Sequence, residues 1–217
     1  MKHLFALLFI CTVQVFPAQT NNKEFQFYAL YEDYLTGNAM QPGIAGEIKE
    51  ISDQYIHFSD YRYIDNNKKA KAAASAWALS DGKNLYFNMM NAGVIYRNNV
   101  FAKFDFINDR YMVVLLDETK ESKAIGYNNP YGGGLLGAAL NIKPKSTWKD
   151  TKGNSYKILL VDKKNPYPLK GNMAHRMIVP IVDTGKILEL SNNEPAIMEK
   201  LKKNSFLTED FIELISR

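Results

Sequence analysis

The chain has 217 residues with 27 basic and 23 acidic side chains, a formal net charge of +4, and 46% hydrophobic residues. That charge is too weak and too dispersed for nucleic acid, which calls for a concentrated basic stripe; the densest cluster, Lys68, Lys69 and Lys71, reads as a solvated loop. The single cysteine, Cys11, lies in an apolar run, so beyond it neither a disulfide framework nor a thiolate zinc site is available.

Met1-Lys2-His3, the apolar run Leu4–Phe16 and the small-residue end Pro17-Ala18-Gln19 have the three regions of a secretory signal peptide. The run is shorter than the roughly 20 apolar residues of a spanning helix, so the expectation is cleavage after Ala18 or Gln19 and no transmembrane span. Residues 1–19 are then the signal and residues 20–217 a single exported domain, in the periplasm, on the outer membrane or outside the cell.

Phe25, Phe27 and Ala29 alternate with polar-edged neighbours and predict a short strand, followed by one or two helical turns at Tyr31–Leu35 stopped by Gly37. Gln54–Tyr63 is rich in strand formers and ends at Asp65-Asn66-Asn67-Lys68. After an alanine-rich helical turn at Lys71–Ser75, Trp77 and Leu79 lead into Ser80-Asp81-Gly82-Lys83 and then Leu85, Phe87 and Met89. Alternating runs on either side of Asp-Gly predict a hairpin, because the turn needs positive φ. Val100–Ile107 is a further strand, and Asn108-Asp109-Arg110 turns it into Tyr111–Leu116, whose near-continuous apolar run predicts burial on both faces.

Tyr156–Val161 and Arg176–Val182 are strands, and Asp183-Thr184-Gly185 is expected as a tight turn into another at Lys186–Leu190. Two helices close the chain. One carries Pro195 in its first turn with Ile197, Met198 and Leu201 as its apolar stripe; the other has Thr208 as cap and Leu207, Phe211, Leu214 and Ile215 at helical spacing. The fold class expected is α+β, predominantly antiparallel β-sheet with a short N-terminal helix and a C-terminal helical pair.

Motifs that carry chemistry are sparse. Ile181-Val182-Asp183-Thr184-Gly185 resembles the active-site signature of aspartic proteases, which need two aspartates sharing a proton. Lys186 stands where that family has a small residue, and most of the residues after Gly185 read as helix, so the turn is the preferred reading. His57, with Asp53 or Asp60 as partner, and Asp183 are the candidates for acid/base work; His175 is the other histidine beyond the signal. No Gly-x-Ser-x-Gly turn, phosphate loop or calcium loop occurs, and neither a cofactor nor a metal is expected.

Binding has the better case. Tyr127, Tyr131, Trp148 and Tyr167 fall in Asn-, Gly- and Pro-bearing stretches where exposed rings could stack on a glycan or peptide. The glycine-rich segment Gly132–Leu140 reads as a loop or as a docking segment for another envelope protein.

The order of Tyr31-Glu32-Asp33-Tyr34, the Trp77-Ala78-Leu79-Ser80-Asp81-Gly82-Lys83-Asn84-Leu85-Tyr86 hairpin and Asp183-Thr184-Gly185-Lys186 ahead of terminal helices resembles a group of exported proteins of bacteroidete-type bacteria that has no assigned function. The resemblance implies a Gram-negative envelope location and assigns no residue a role. The sequence therefore points to a secreted or cell-envelope protein acting as a non-enzymatic ligand- or partner-binding module. The alternatives are a hydrolase using Asp183, or a structural subunit docking through Gly132–Leu140.

Overall fold

A computed structural model describes residues 25–50, 52–91, 99–117, 145–164, 179 and 181–217. Its strands are β1 (Gln26–Tyr28), β2 (Ile44–Glu50), β3 (Tyr55–Tyr63), β4 (Ala78–Ser80), β5 (Leu85–Asn88), β6 (Val100–Lys103), β7 (Phe106–Ile107), β8 (Tyr111–Asp117), β9 (Trp148–Lys149) and β10 (Ser155–Asp162). The helices are α1 (Tyr31–Leu35), α2 (Thr184–Leu190), α3 (Pro195–Lys202) and α4 (Thr208–Ser216). The strands form a six-stranded sheet, β1-β4-β5-β6-β3-β2, and a four-stranded sheet, β7-β8-β10-β9, with every strand pair antiparallel. The α+β expectation holds.

The larger sheet curls back on itself. An antiparallel bridge joins Phe25, just ahead of β1, to Ile44 on β2, and Met40 N–H donates to Phe27 O at 2.7 Å. The two edge strands thus meet, and one face of the sheet becomes an interior. Phe25, Phe27, Ile56, Phe58, Tyr61, Leu79 and Phe101 point into it, with Ala70, Ala73 and Ala76 of the 3-10 turn at Lys71–Ser75. Ring centroids lie 4.9 Å apart for Phe58 and Tyr61, and 5.1 Å for Phe58 with both Phe25 and Phe27. Small barrels are filled by their own side chains in this way, which excludes an enclosed ligand chamber at these rings.

One device sets which rings point inward. On β2, Gly46 alone opposes both Asp60 and Tyr61 of β3, because the register runs Ala45–Arg62 and then Glu47–Ser59. Asp60 takes the left-handed conformation at φ 51°. The bulge shifts the side-chain alternation by one, so Phe58 and Tyr61 share the interior face although they are an odd number of residues apart.

The outer face of the curled sheet packs on the four-stranded sheet through Tyr28, Tyr55, Phe87 and Ala102 on one side and Met112, Val114, Leu116, Leu159 and Val161 on the other. Alternate residues of the same strands, Tyr111, Val113, Ile158 and Leu160, face the opposite way onto α2, α3 and α4. β8 is therefore buried on both faces, as its apolar run predicts. Where the chain passes between sheets, the Asp105 carboxylate accepts from Leu115 N–H at 2.7 Å and from Gln54 Nε2 at 3.1 Å; Gln54 also donates to Leu115 O.

Several expectations are corrected. Val100–Ile107 is two strands serving different sheets, and Met89 begins a 3-10 turn instead of continuing β5. β2 and β9 are additional strands. Lys186–Leu190 is helical, so Asp183-Thr184-Gly185 opens a helix and three helices, not a pair, close the chain. Thr208 is the first residue of α4 and not its cap; Leu207 holds the cap position, and its N–H donates to the Asp210 carboxylate at 2.8 Å. Of Arg176–Val182, only Val179, Ile181 and Val182 are described, with Ile181 bridged to Leu159.

Candidate functional site

Asp183 is the N-cap of α2. Its Oδ1 accepts from Lys186 N–H at 2.8 Å, filling one of the donors that a helix start leaves open. The buried Thr184 accepts from Lys145 N–H through Oγ1 at 3.0 Å and donates its own N–H to Lys145 O at 2.9 Å, clamping the chain ahead of β9 to the helix. A Cβ on Gly185 would come within 3.3 Å of Asp183 Oδ1, so glycine keeps room for the cap. Lys186 pairs with Glu189 at 2.7 Å. Asp183, Thr184 and Gly185 of the protease-like motif thus each have a structural task. Asp183→Ala is expected to lower stability by about 1 kcal/mol, with Asp183→Asn close to wild type, since asparagine caps equally well; urea midpoints measure both.

His57 is half-buried on β3, between Lys49 of β2 and Val100 of β6. Its directly paired neighbours are thus a cation and an apolar residue, and neither is a carboxylate. Asp60, one expected partner, gives its carboxylate to Arg62 at 2.9 Å, a contact that holds it below the usual carboxylate range; Asp53 is exposed. Among the described residues no group of three or more His, Cys, Asp or Glu side chains could hold a metal ion, and no helix is long and apolar enough to cross a membrane.

Trp148 is expected on an open loop; it lies on β9 and is 1% exposed. Its Nε1 donates to Val182 O at 3.0 Å, its ring meets Phe206 edge-on at 5.5 Å, and Lys145 Nζ sits 5.2 Å above it. A ring so enclosed is core and not a stacking platform. Tyr127, Tyr131 and Tyr167 lie outside the described residues, as do His175 and Gly132–Leu140. Tyr31 and Trp77 are also core, 5.1 Å apart in the layer between the sheets. Burial, followed by the charges of Tyr34, Asp162 and Glu32, pushes the Tyr31 phenol up to about 12.

A cleft of about 660 Å³ opens where the β7–β8 turn meets the C-terminal ends of α2 and α4. Its lining mixes polar and apolar surface: Leu190 and Leu214 are half-buried, Tyr111 and Ile215 are buried, and the charged rim carries Asp109, Arg110, Glu194 and Arg217. The turn is held rigidly. Asn108 Oδ1 accepts from the N–H groups of Arg110 at 2.9 Å and Tyr111 at 2.6 Å, while Asn108 Nδ2 donates to Ile215 O at 3.0 Å. Lys163 fastens it from below: its Nζ donates to Asn108 O at 2.6 Å and its N–H to Arg110 O at 2.7 Å.

The two guanidinium groups of the rim differ. Arg217 donates to Glu194 at 2.9 Å and to Glu213 at 3.1 Å, which keeps it firmly protonated. Arg110 lies 4.9 Å over the Tyr111 ring and 3.6 Å from the buried Asp162 carboxylate, longer than the roughly 2.8 Å of a charge-assisted hydrogen bond, and its side chain is 49% exposed. Burial raises the Tyr111 phenol, with Arg110 opposing.

Sequence reading reached Asn108-Asp109-Arg110 only as a turn. The available signal was an Asx-turn residue placing an arginine directly beside a tyrosine. No protein-family model, no curated protein and no solved structure matches the chain.

Proposed function

We propose that the protein is an exported, non-enzymatic binding module of the cell envelope that takes its ligand in the cleft between the β7–β8 turn and the C-terminal helices. Support for export comes from Met1-Lys2-His3, the Leu4–Phe16 run and Pro17-Ala18-Gln19. The resemblance to exported bacteroidete-type proteins supports the envelope placement. The observation that carries the binding reading is the cleft: a concave surface of mixed polar and apolar lining with a few fixed charges, in the size range of small-ligand sites.

The binding reading is favoured over a hydrolase using Asp183 because Oδ1 of that carboxylate already accepts the α2 cap bond. The test is a titration of the isotopically labelled protein with representative glycans, peptides and fatty acids, followed by NMR. Binding by one class is expected to shift the amides of Asn108–Tyr111 and Leu190–Glu194 together. Binding that shifts only residues remote from the cleft, or no binding by any class, overturns the proposal.

A further inference from the structure

We propose that the cleft recognises a peptide ending in a free carboxylate behind an apolar side chain, with Arg110 as the carboxylate clamp; this rests on the binding reading above. The two arginines of the rim divide the work. Arg217 is already held by two carboxylates at ordinary hydrogen-bond distances. Among the described residues Arg110 has a single ion pair, at 3.6 Å, so the fork of its planar guanidinium is open to a planar oxyanion. Its position is set by stacking on Tyr111 and by the pinned Asn108 turn, and a clamp held in place before binding loses little entropy on binding.

The surrounding charges select among oxyanions. Asp109 and Glu194 line the same cleft, and α2 and α4 present their C-terminal ends to it. These are negative features that work against any anion, a dianion such as phosphate more than a monoanion, and welcome N–H donors. A monoanionic carboxylate at Arg110, peptide N–H groups toward Glu194 and an apolar side chain over Leu190 and Leu214 satisfy all three features at once. A glycan would leave the clamp without an anion, and a fatty acid would leave the acidic rim without donors.

Calorimetric titration with acetyl-Ala-Leu as the free acid, with its C-terminal amide and with inorganic phosphate tests this. The acid is expected to bind about tenfold or more tighter than the amide, as for loss of one charge-assisted contact. Arg110→Lys keeps a charge beside Asp162 but not the bidentate fork, and is expected to lose most of the acid-over-amide preference with an unchanged melting temperature. Arg110→Gln is expected to abolish the preference.

Equal binding of acid and amide overturns the clamp while leaving the cleft as the ligand site. Phosphate competing as well as the acid overturns the peptide assignment. Binding by neither peptide overturns the clamp, while the cleft reading is decided separately by the glycan and fatty-acid titrations.

Discussion

Trp148→Ala is expected to lower stability by about 3–5 kcal/mol, the range for removing a large buried aromatic side chain. For a chain of this size that is a fall in melting temperature on the order of 10 °C. Trp148 joins the edge of the four-stranded sheet to the helical layer: β9 pairs with β10, the indole N–H reaches Val182 just before α2, and the ring packs on Phe206 just before α4. Truncation leaves a cavity among these three and an unpaired carbonyl at Val182. Trp148→Phe keeps most of the packing and loses the N–H, so its expected cost is smaller, about 1–3 kcal/mol for an unmet buried polar group. Urea unfolding of both variants checks the order. An unfolding midpoint unchanged in Trp148→Ala, with ligand binding lost, would instead identify an exposed stacking ring.

The places where the sequence misleads have physical causes. β8 and β10 are legible because dense apolar runs have one outcome in a layered protein, burial on both faces. β2 is obscured because Glu47, Lys49 and Glu50 interrupt its apolar positions; its register depends on a bulge whose marker, Asp60, sits on another strand. β9 is only Trp148–Lys149, too short for any alternation to show. In Asp183-Thr184-Gly185, aspartate before glycine serves equally in a hairpin turn and at a helix start. The deciding signal was Thr184, Ile187 and Leu188, buried together at helical spacing.

The cleft was less legible than the fold for a different reason. It is assembled from the β7–β8 turn, the end of α2 with the residues after it, and the end of α4, three segments far apart in the chain. No spacing rule joins them, and each carries ordinary surface residues. What distinguishes Arg110 from the other cations among the described residues is the combination of an aromatic ring beneath it and a buried carboxylate a little too far away. That distinction exists only in three dimensions.

Gly46→Ala is expected to destabilise the protein by about 3 kcal/mol or more, at or beyond the upper end for overpacking. A methyl group there would come within 2.5 Å of both Phe58 Cε1 and Ser59 O. The ring belongs to the filled interior and the oxygen to the backbone of β3, so neither yields without disturbing the bulge that orients Phe58 and Tyr61. Gly153→Ala is the control for conformational strain alone: φ is +86° but nothing lies within 4 Å of the added carbon, and the expected cost is about 1–2 kcal/mol. Pairing Gly46→Ala with Phe58→Leu separates the two contacts. The shorter side chain removes the ring clash and leaves the Ser59 oxygen, so the double variant is expected to be more stable than the sum of the singles predicts, by about 0.5–3 kcal/mol, yet well below wild type. Strict additivity of the two changes in urea unfolding would show that Phe58 is not what excludes a side chain at position 46.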